Sequence, residues 1–148
     1  MLYCITATYS WGVSGIMALL IYSTKTEDIG ERLLSVIGLL IPENKLEVCR
    51  SIGELSQRLR QAVFNPTIAI LLASSREELQ DILSIKDLLW DIKIILIVPD
   101  MNRSTLAKGH TLRPRFVCDC NSDFVDVAAV LSLMIRNLGH DNNIDIHA

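Results

Sequence analysis

Apolar positions along this chain keep two alternating rhythms. Short runs with apolar residues on both parities are separated by longer stretches in which apolar residues recur every three or four positions. The first rhythm is that of a strand buried on both faces, and the second is that of a helix with one buried stripe. Residues 18–23 read as a first buried strand. Residues 24–28 form a loop in which Thr26 or Asp28 caps a helix running to about Leu40, with Ile29, Leu33, Val36, Ile37 and Leu40 as its stripe. Pro42 and Asn44 stop that helix. Residues 46–50 alternate apolar and polar, as a strand near a sheet edge does. Ser51 caps the second helix, and Glu54 three residues on completes a capping box. Ile52, Leu55, Leu59 and Val63 are its apolar face.

Asn65-Pro66 breaks this helix before the most apolar short run, residues 66–73, which belongs in the middle of a parallel sheet. Ser74 or Ser75 caps a third helix predicted to reach Trp90, with Glu77 and Glu78 in its first turn, where negative charge suits the helix dipole. Residues 92–98 are a second fully buried strand, ended by Pro99-Asp100. Residues 102–112 predict a short, weak helix interrupted by Gly109. Pro114 precedes a last strand over residues 115–119. Asn121 or Ser122 caps a final helix over residues 124–138, with Gly139 as its C-cap and residues 140–148 as a frayed polar tail. The order is five repeats of strand then helix. The fold class that follows is α/β, a three-layer doubly wound parallel five-stranded sheet of strand order 2-1-3-4-5.

Composition narrows the function classes. The 148 residues are 50% apolar and 21% charged, with a net charge of −3 and both signs interspersed, as suits one aliphatic-rich globular domain. Nothing in this balance favours nucleic acid or an acidic membrane as partner. Residues 1–16 lack a basic start and an unbroken apolar core, and are too short and polar to span a membrane. They read as an extension before a domain over residues 17–139, with Met17 as an alternative start. An extra edge strand over residues 2–8, or a homodimer contact through Tyr9 and Trp11, is the other reading. Cys4, Cys49, Cys118 and Cys120 form no metal-ligand spacing and read as reduced thiols of a cytoplasmic protein. Cys118 and Cys120 fall on one face of their strand. No metal or other cofactor is implied.

Chemistry in a doubly wound sheet belongs at the C-terminal strand ends. The candidates there are Ser23, Thr24, Ser74, Asp100 and Asp119. The hydroxyls serve as helix caps or weak anion ligands, and Asp100 and Asp119 follow neighbouring strands and could face one another across a cation. There is no glycine-rich dinucleotide motif and no phosphate-binding P-loop. A serine nucleophile lacks a base, because His140 and His147 are in the tail and His110 is expected to face solvent. Lys108, Arg113 and Arg115 are the candidate interaction face.

Five strand–helix units in about 125 residues, with Asn65-Pro66 before the third strand, resemble the receiver domain of bacterial response regulators, a flavodoxin-like fold. The resemblance covers residues 17–138 and lies in segment lengths and strand order. It implies an acceptor aspartate six residues after Pro66, where this chain has Leu72. It implies an acidic pair after the first strand, where the chain reads Tyr22-Ser23-Thr24-Lys25. It implies a serine or threonine ending the fourth strand, where Ile97-Val98 stand, and a lysine before a proline ending the fifth, where Asp119-Cys120 stand. Phosphoryl transfer to a carboxylate needs that carboxylate, and magnesium needs oxygen ligands. The expected function is a non-phosphorylatable, non-enzymatic receiver-like module that signals through a protein partner or a homodimer. In the resembled family the face of the fourth helix, fifth strand and fifth helix meets partners. The alternative is a small-molecule- or nucleotide-binding α/β domain, or an enzyme, that uses the C-terminal strand ends.

Overall fold

The structure, a computed structural model, describes residues 19–24, 28–61 and 68–147. Its elements are β1 (Leu19–Tyr22), α1 (Ile29–Gly38), β2 (Leu46–Cys49), α2 (Ile52–Leu59), β3 (Ile68–Leu72), α3 (Arg76–Ser84), β4 (Lys93–Val98), α4 (Arg103–His110), β5 (Phe116–Asp119) and α5 (Val125–His147). All strand pairings are parallel, and the order is β2-β1-β3-β4-β5, as expected from the alternating rhythms. The extension over residues 1–16, the start at Met17, the cap at Thr26, the stripe residue Val63 and the break at Asn65-Pro66 lie outside the described residues.

Strand parity builds two separate cores. Ile68, Ile70 and Leu72 of β3 join Leu19, Ile21, Ile95, Ile97 and the buried residues of α1 and α5 on one face. Ala69, Leu71 and Ala73 join Leu20, Tyr22, Ile94, Leu96 and the buried residues of α2 and α3 on the other. Every residue of β3 is buried, which explains its unbroken apolar run. Each such aliphatic side chain contributes about 1.5–3 kcal/mol on leaving water, so β3 and β4 anchor both layers. The alternating β2 sits on the edge, with Leu46, Glu47 and Val48 only half-buried.

The sequence-based boundaries are corrected in four places. Asp28 takes the N-cap position of α1, but its φ is 53° and its side chain accepts no capping hydrogen bond. The third helix stops at Ser84 instead of Trp90. Ser84 Oγ donates to the Asp81 carbonyl at 2.5 Å, and a 3-10 turn over Lys86–Leu88 then points Leu89 into the core and leaves Trp90 exposed. Gly109 does not interrupt α4. It lies inside the helix, and a Cβ there would come within 2.8 Å of Leu96 Cδ2, so the missing side chain lets α4 close on β4. Gly139 does not end α5, which runs on to His147. A glycine in a helix costs about 1 kcal/mol relative to alanine but does not terminate it.

Candidate functional site

The ladder continues one residue past several strands and brings the candidate residues to one end of the sheet. Ser23 N donates to the Cys49 carbonyl at 3.0 Å, Ala73 N to the Ile97 carbonyl at 2.8 Å, and Cys120 N to the Val98 carbonyl at 3.0 Å. Ser23 is therefore fully buried, part of the sheet and not of an open surface. Leu72 is also without exposure, as are Ile97 and Val98 at the end of β4.

Glu78, in the first turn of α3, is the centre of this end. Its Oε1 accepts from Ser74 N and from Ser74 Oγ, both at 2.8 Å, and its Oε2 accepts from Thr24 Oγ1 at 2.5 Å. Its own N–H donates to Ser75 Oγ at 3.2 Å, which makes Ser75 the N-cap. The same arrangement recurs at α2. There Ser51 Oγ accepts from Glu54 N at 3.1 Å, and Glu54 Oε1 accepts from Arg50 N at 2.9 Å. In both boxes the glutamate reaches the residue before the cap. Thr24 and Ser74, expected as helix caps or weak anion ligands, are thus joined to each other through Glu78.

A second tie crosses from α1. Arg32 Nη1 donates to the Ser122 carbonyl at 3.0 Å and Nη2 to the Cys120 carbonyl at 3.1 Å, while the guanidinium lies 5.2 Å from the centroid of the Phe124 ring. Phe124 has a φ of 65°, an unfavourable conformation for a bulky residue. Its fully buried ring and the Arg32 contacts hold it there. The expected capping of α5 is correspondingly modified. Ser122 Oγ accepts from Phe124 N and Asp123 Oδ1 from Val125 N, and Asn121 does not cap.

Asp100 and Asp119 turn to different partners. Asp100 Oδ2 accepts from Arg76 Nε at 3.3 Å and Oδ1 from Asn102 N at 3.0 Å. The hydroxyl of Thr105, with the Asn102 N–H and the Arg76 guanidinium after it, holds the Asp100 carboxyl below the usual carboxylate range. Thr105 is itself buried. Asp119 Oδ1 accepts from Asn121 N at 3.2 Å. No group of three or more His, Cys, Asp or Glu suited to a metal occurs among the described residues.

The remaining candidates disperse. Lys108, Arg113 and Arg115 are all exposed. Lys108 lines a narrow cleft with Arg76, Leu79, Ser104 and Thr105, whereas Arg115 N donates to the Ile94 carbonyl near the opposite end of the sheet. His110 is exposed, as expected. Cys118 and Cys120 share one core face, also as expected, and Cys120 Sγ donates to the Ala73 carbonyl at 3.5 Å. Burial pushes the thiols of Cys49, Cys118 and Cys120 up to about 11. Their native alkylation at pH 8 is expected to be at least about a hundredfold slower than that of a free thiol. Site-resolved peptide mapping with and without denaturant checks this, and fast native labelling of Cys120 would mean that the strand ends open.

Sequence reasoning missed Arg32 and the cross-linking role of Glu78. The spacing Ser75-Arg76-Glu77-Glu78 repeats that of Ser51 to Glu54 and carried the signal for Glu78. Arg32 had none, because its acceptors are 88 and 90 residues away.

No helix among the described residues is long and apolar enough to cross a membrane. No family model and no curated protein matches the chain. Solved structures do match. One is a two-component response regulator from Legionella pneumophila, with a TM-score of 0.58 and 17% identity, covering 82% of this chain and 98% of that one. Another is a pilus assembly-related protein from Burkholderia pseudomallei, with a TM-score of 0.54 and 18% identity, covering 80% and 93%. The fold is receiver-like: a five-stranded flavodoxin-like α/β domain of order 2-1-3-4-5.

Proposed function

We propose that this chain is a receiver-like signalling module that works through protein contacts, without phosphorylation and without catalysis. The observation that carries the reading is Leu72. It stands at the end of β3, where the resembled family keeps its acceptor carboxylate, and it is buried without exposure. The surrounding polar groups support the same reading. The carboxylate oxygens of Glu78 accept from Thr24 and Ser74, and Asp100 pairs with Arg76. Magnesium would have to displace these protein donors to gain oxygen ligands. One neighbour is described as a response regulator and the other as pilus assembly-related, and both descriptions suit a module whose output is a contact. The exposed Lys108, Arg113 and Arg115 are the proposed partner-facing cations. Addition of beryllium fluoride or acetyl phosphate with magnesium is expected to leave the amide NMR spectrum unchanged. Saturable shifts clustered at Ser23, Leu72 and Ser74 would overturn the proposal in favour of a ligand-binding apex.

A further inference from the structure

Among the described residues the two most exposed large apolar side chains are Leu39 and Trp90, at 86% and 82%. Leu40, also exposed, stands beside Leu39. Both places are ordered turns. Leu39 N donates to the Val36 carbonyl and Leu40 N to that of Ile37, where α1 ends. Trp90 lies inside the turn that Ile92 N closes on the Leu89 carbonyl, just ahead of β4. One connection leads from α1 to β2 and the other from α3 to β4. Both therefore sit at the N-terminal end of the parallel sheet, opposite the candidate site.

The register fixes what lies between them. Leu19, the first residue of β1, pairs with Leu46 of β2 and with Ile68 of β3, and Ile68 pairs with Lys93 of β4. Four strands thus start level, and at about 4.8 Å per strand β2 and β4 are about 14 Å apart. The chain enters the sheet at Leu19 with the Leu39–Leu40 turn on one side and the Trp90 turn on the other. Any other occupant of this end has to share it with the residues that precede Leu19. Those residues have the composition of a segment that leaves water. Residues 1–18 contain no Asp, Glu, Lys, Arg or His, in a chain that is 21% charged, and they carry Tyr3, Tyr9, Trp11, Val13 and Ile16. Sequences that stay solvated combine low hydrophobicity with high net charge, and this one has neither. The eight residues from Trp11 to Leu19 reach up to about 26 Å, more than the whole span from β2 to β4.

We propose that the N-terminal end of the sheet is a docking surface for this chain's own residues 1–18, with Leu39, Leu40 and Trp90 as the side chains covered. Tethering to β1 supplies an effective concentration in the millimolar range, so contacts too few to hold a separate molecule suffice. This goes beyond the proposed function and does not depend on it.

Fluorescence of the full chain tests this, with Trp11→Phe leaving Trp90 as the single tryptophan. Acrylamide is expected to quench Trp90 at least about threefold more slowly than free N-acetyltryptophanamide, because a covered indole is out of the quencher's reach. Adding Tyr9→Asp and Val13→Asp is expected to return quenching to near the free rate, since a charged side chain resists burial. The converse variant, Trp90→Phe, leaves Trp11 as the reporter, and Leu39→Asp in that chain is expected to speed quenching of Trp11 in the same way. Circular dichroism checks that each variant is folded. Leu39→Asp, at an exposed position, keeps the test decisive should the charged segment unfold the domain. Trp90 quenched at the free rate beside the unaltered Tyr9 and Val13 would overturn the proposal. So would quenching indifferent to Asp at 9, 13 and 39 in folded chains. Protection that disappears on dilution, as a dimer dissociates in sedimentation velocity, would also overturn it, because the occupant would then be a second copy.

Discussion

Leu72→Asp is expected to destabilise the domain by about 5 kcal/mol and to leave it unable to accept phosphate. Removing the leucine side chain alone, as in Leu72→Ala, is expected to cost about 2–5 kcal/mol in transfer and cavity terms. Leu72 sits at the high end of that range, because it is without exposure in the core shared by β3, α1 and α5. Aspartate adds a carboxyl among Ile70, Ile97 and Phe124. Desolvation there favours the neutral acid, so the folded-state pKa of the new group lies above its unfolded value of about 3.9. The sign of the pH dependence follows. Between the two pKa values the unfolded chain has released its proton and the folded chain has not, so rising pH draws the equilibrium toward unfolding. The deficit of Leu72→Asp relative to Leu72→Ala is therefore smallest below about pH 4 and grows above it. Urea denaturation of both variants at pH 4 and pH 7 measures this. A Leu72→Asp variant as stable as wild type that binds beryllium fluoride would mean that residue 72 faces solvent and that a phosphate-accepting site is one substitution away.

The sheet was legible because its cause is local. Two-parity apolar runs marked β1, β3 and β4 as buried, alternation marked β2 as an edge, and strand–helix repetition left one simple parallel topology. Single caps were legible for the same reason, as Ser51 and Ser75 show. The candidate site was legible only as a location. Thr24 and Ser74 meet because β3 lies beside β1, and the bond between them runs through a side chain from α3. Asp100 and Asp119 are close in the sheet order, yet each carboxylate is engaged by an N–H two residues on, at Asn102 and Asn121. Such turns follow from the residue type, and they use up an oxygen that a cation would need. The end of α3 was not legible, since periodicity continues past Ser84 while its hydroxyl diverts the backbone.

Glu78→Ala is expected to remove about 2–3 kcal/mol of stability, more than any other exposed or half-buried substitution at this end of the sheet. Three donors lose their acceptor at once: Thr24 Oγ1, Ser74 N and Ser74 Oγ. Hydrogen bonds to a charged group are each stronger than neutral ones, but Glu78 is only half-buried, so water recovers part of the loss. Glu78→Gln keeps one acceptor oxygen and gives up the charge at the α3 N-terminus, so it is expected to cost about half as much. Ser75→Ala removes the cap alone, for about 1 kcal/mol. The three variants separate a cap effect from a cross-link effect, because only loss of the Glu78 oxygens frees the segment after β1. Amide exchange reads that difference: Glu78→Ala is expected to accelerate exchange at Ser23 and Thr24, and Ser75→Ala to leave them near the wild-type rate. Equal denaturation midpoints for Glu78→Ala and Ser75→Ala, with unchanged exchange after β1, would show that the strand ends hold together without this carboxylate. The apex would then be open to a ligand.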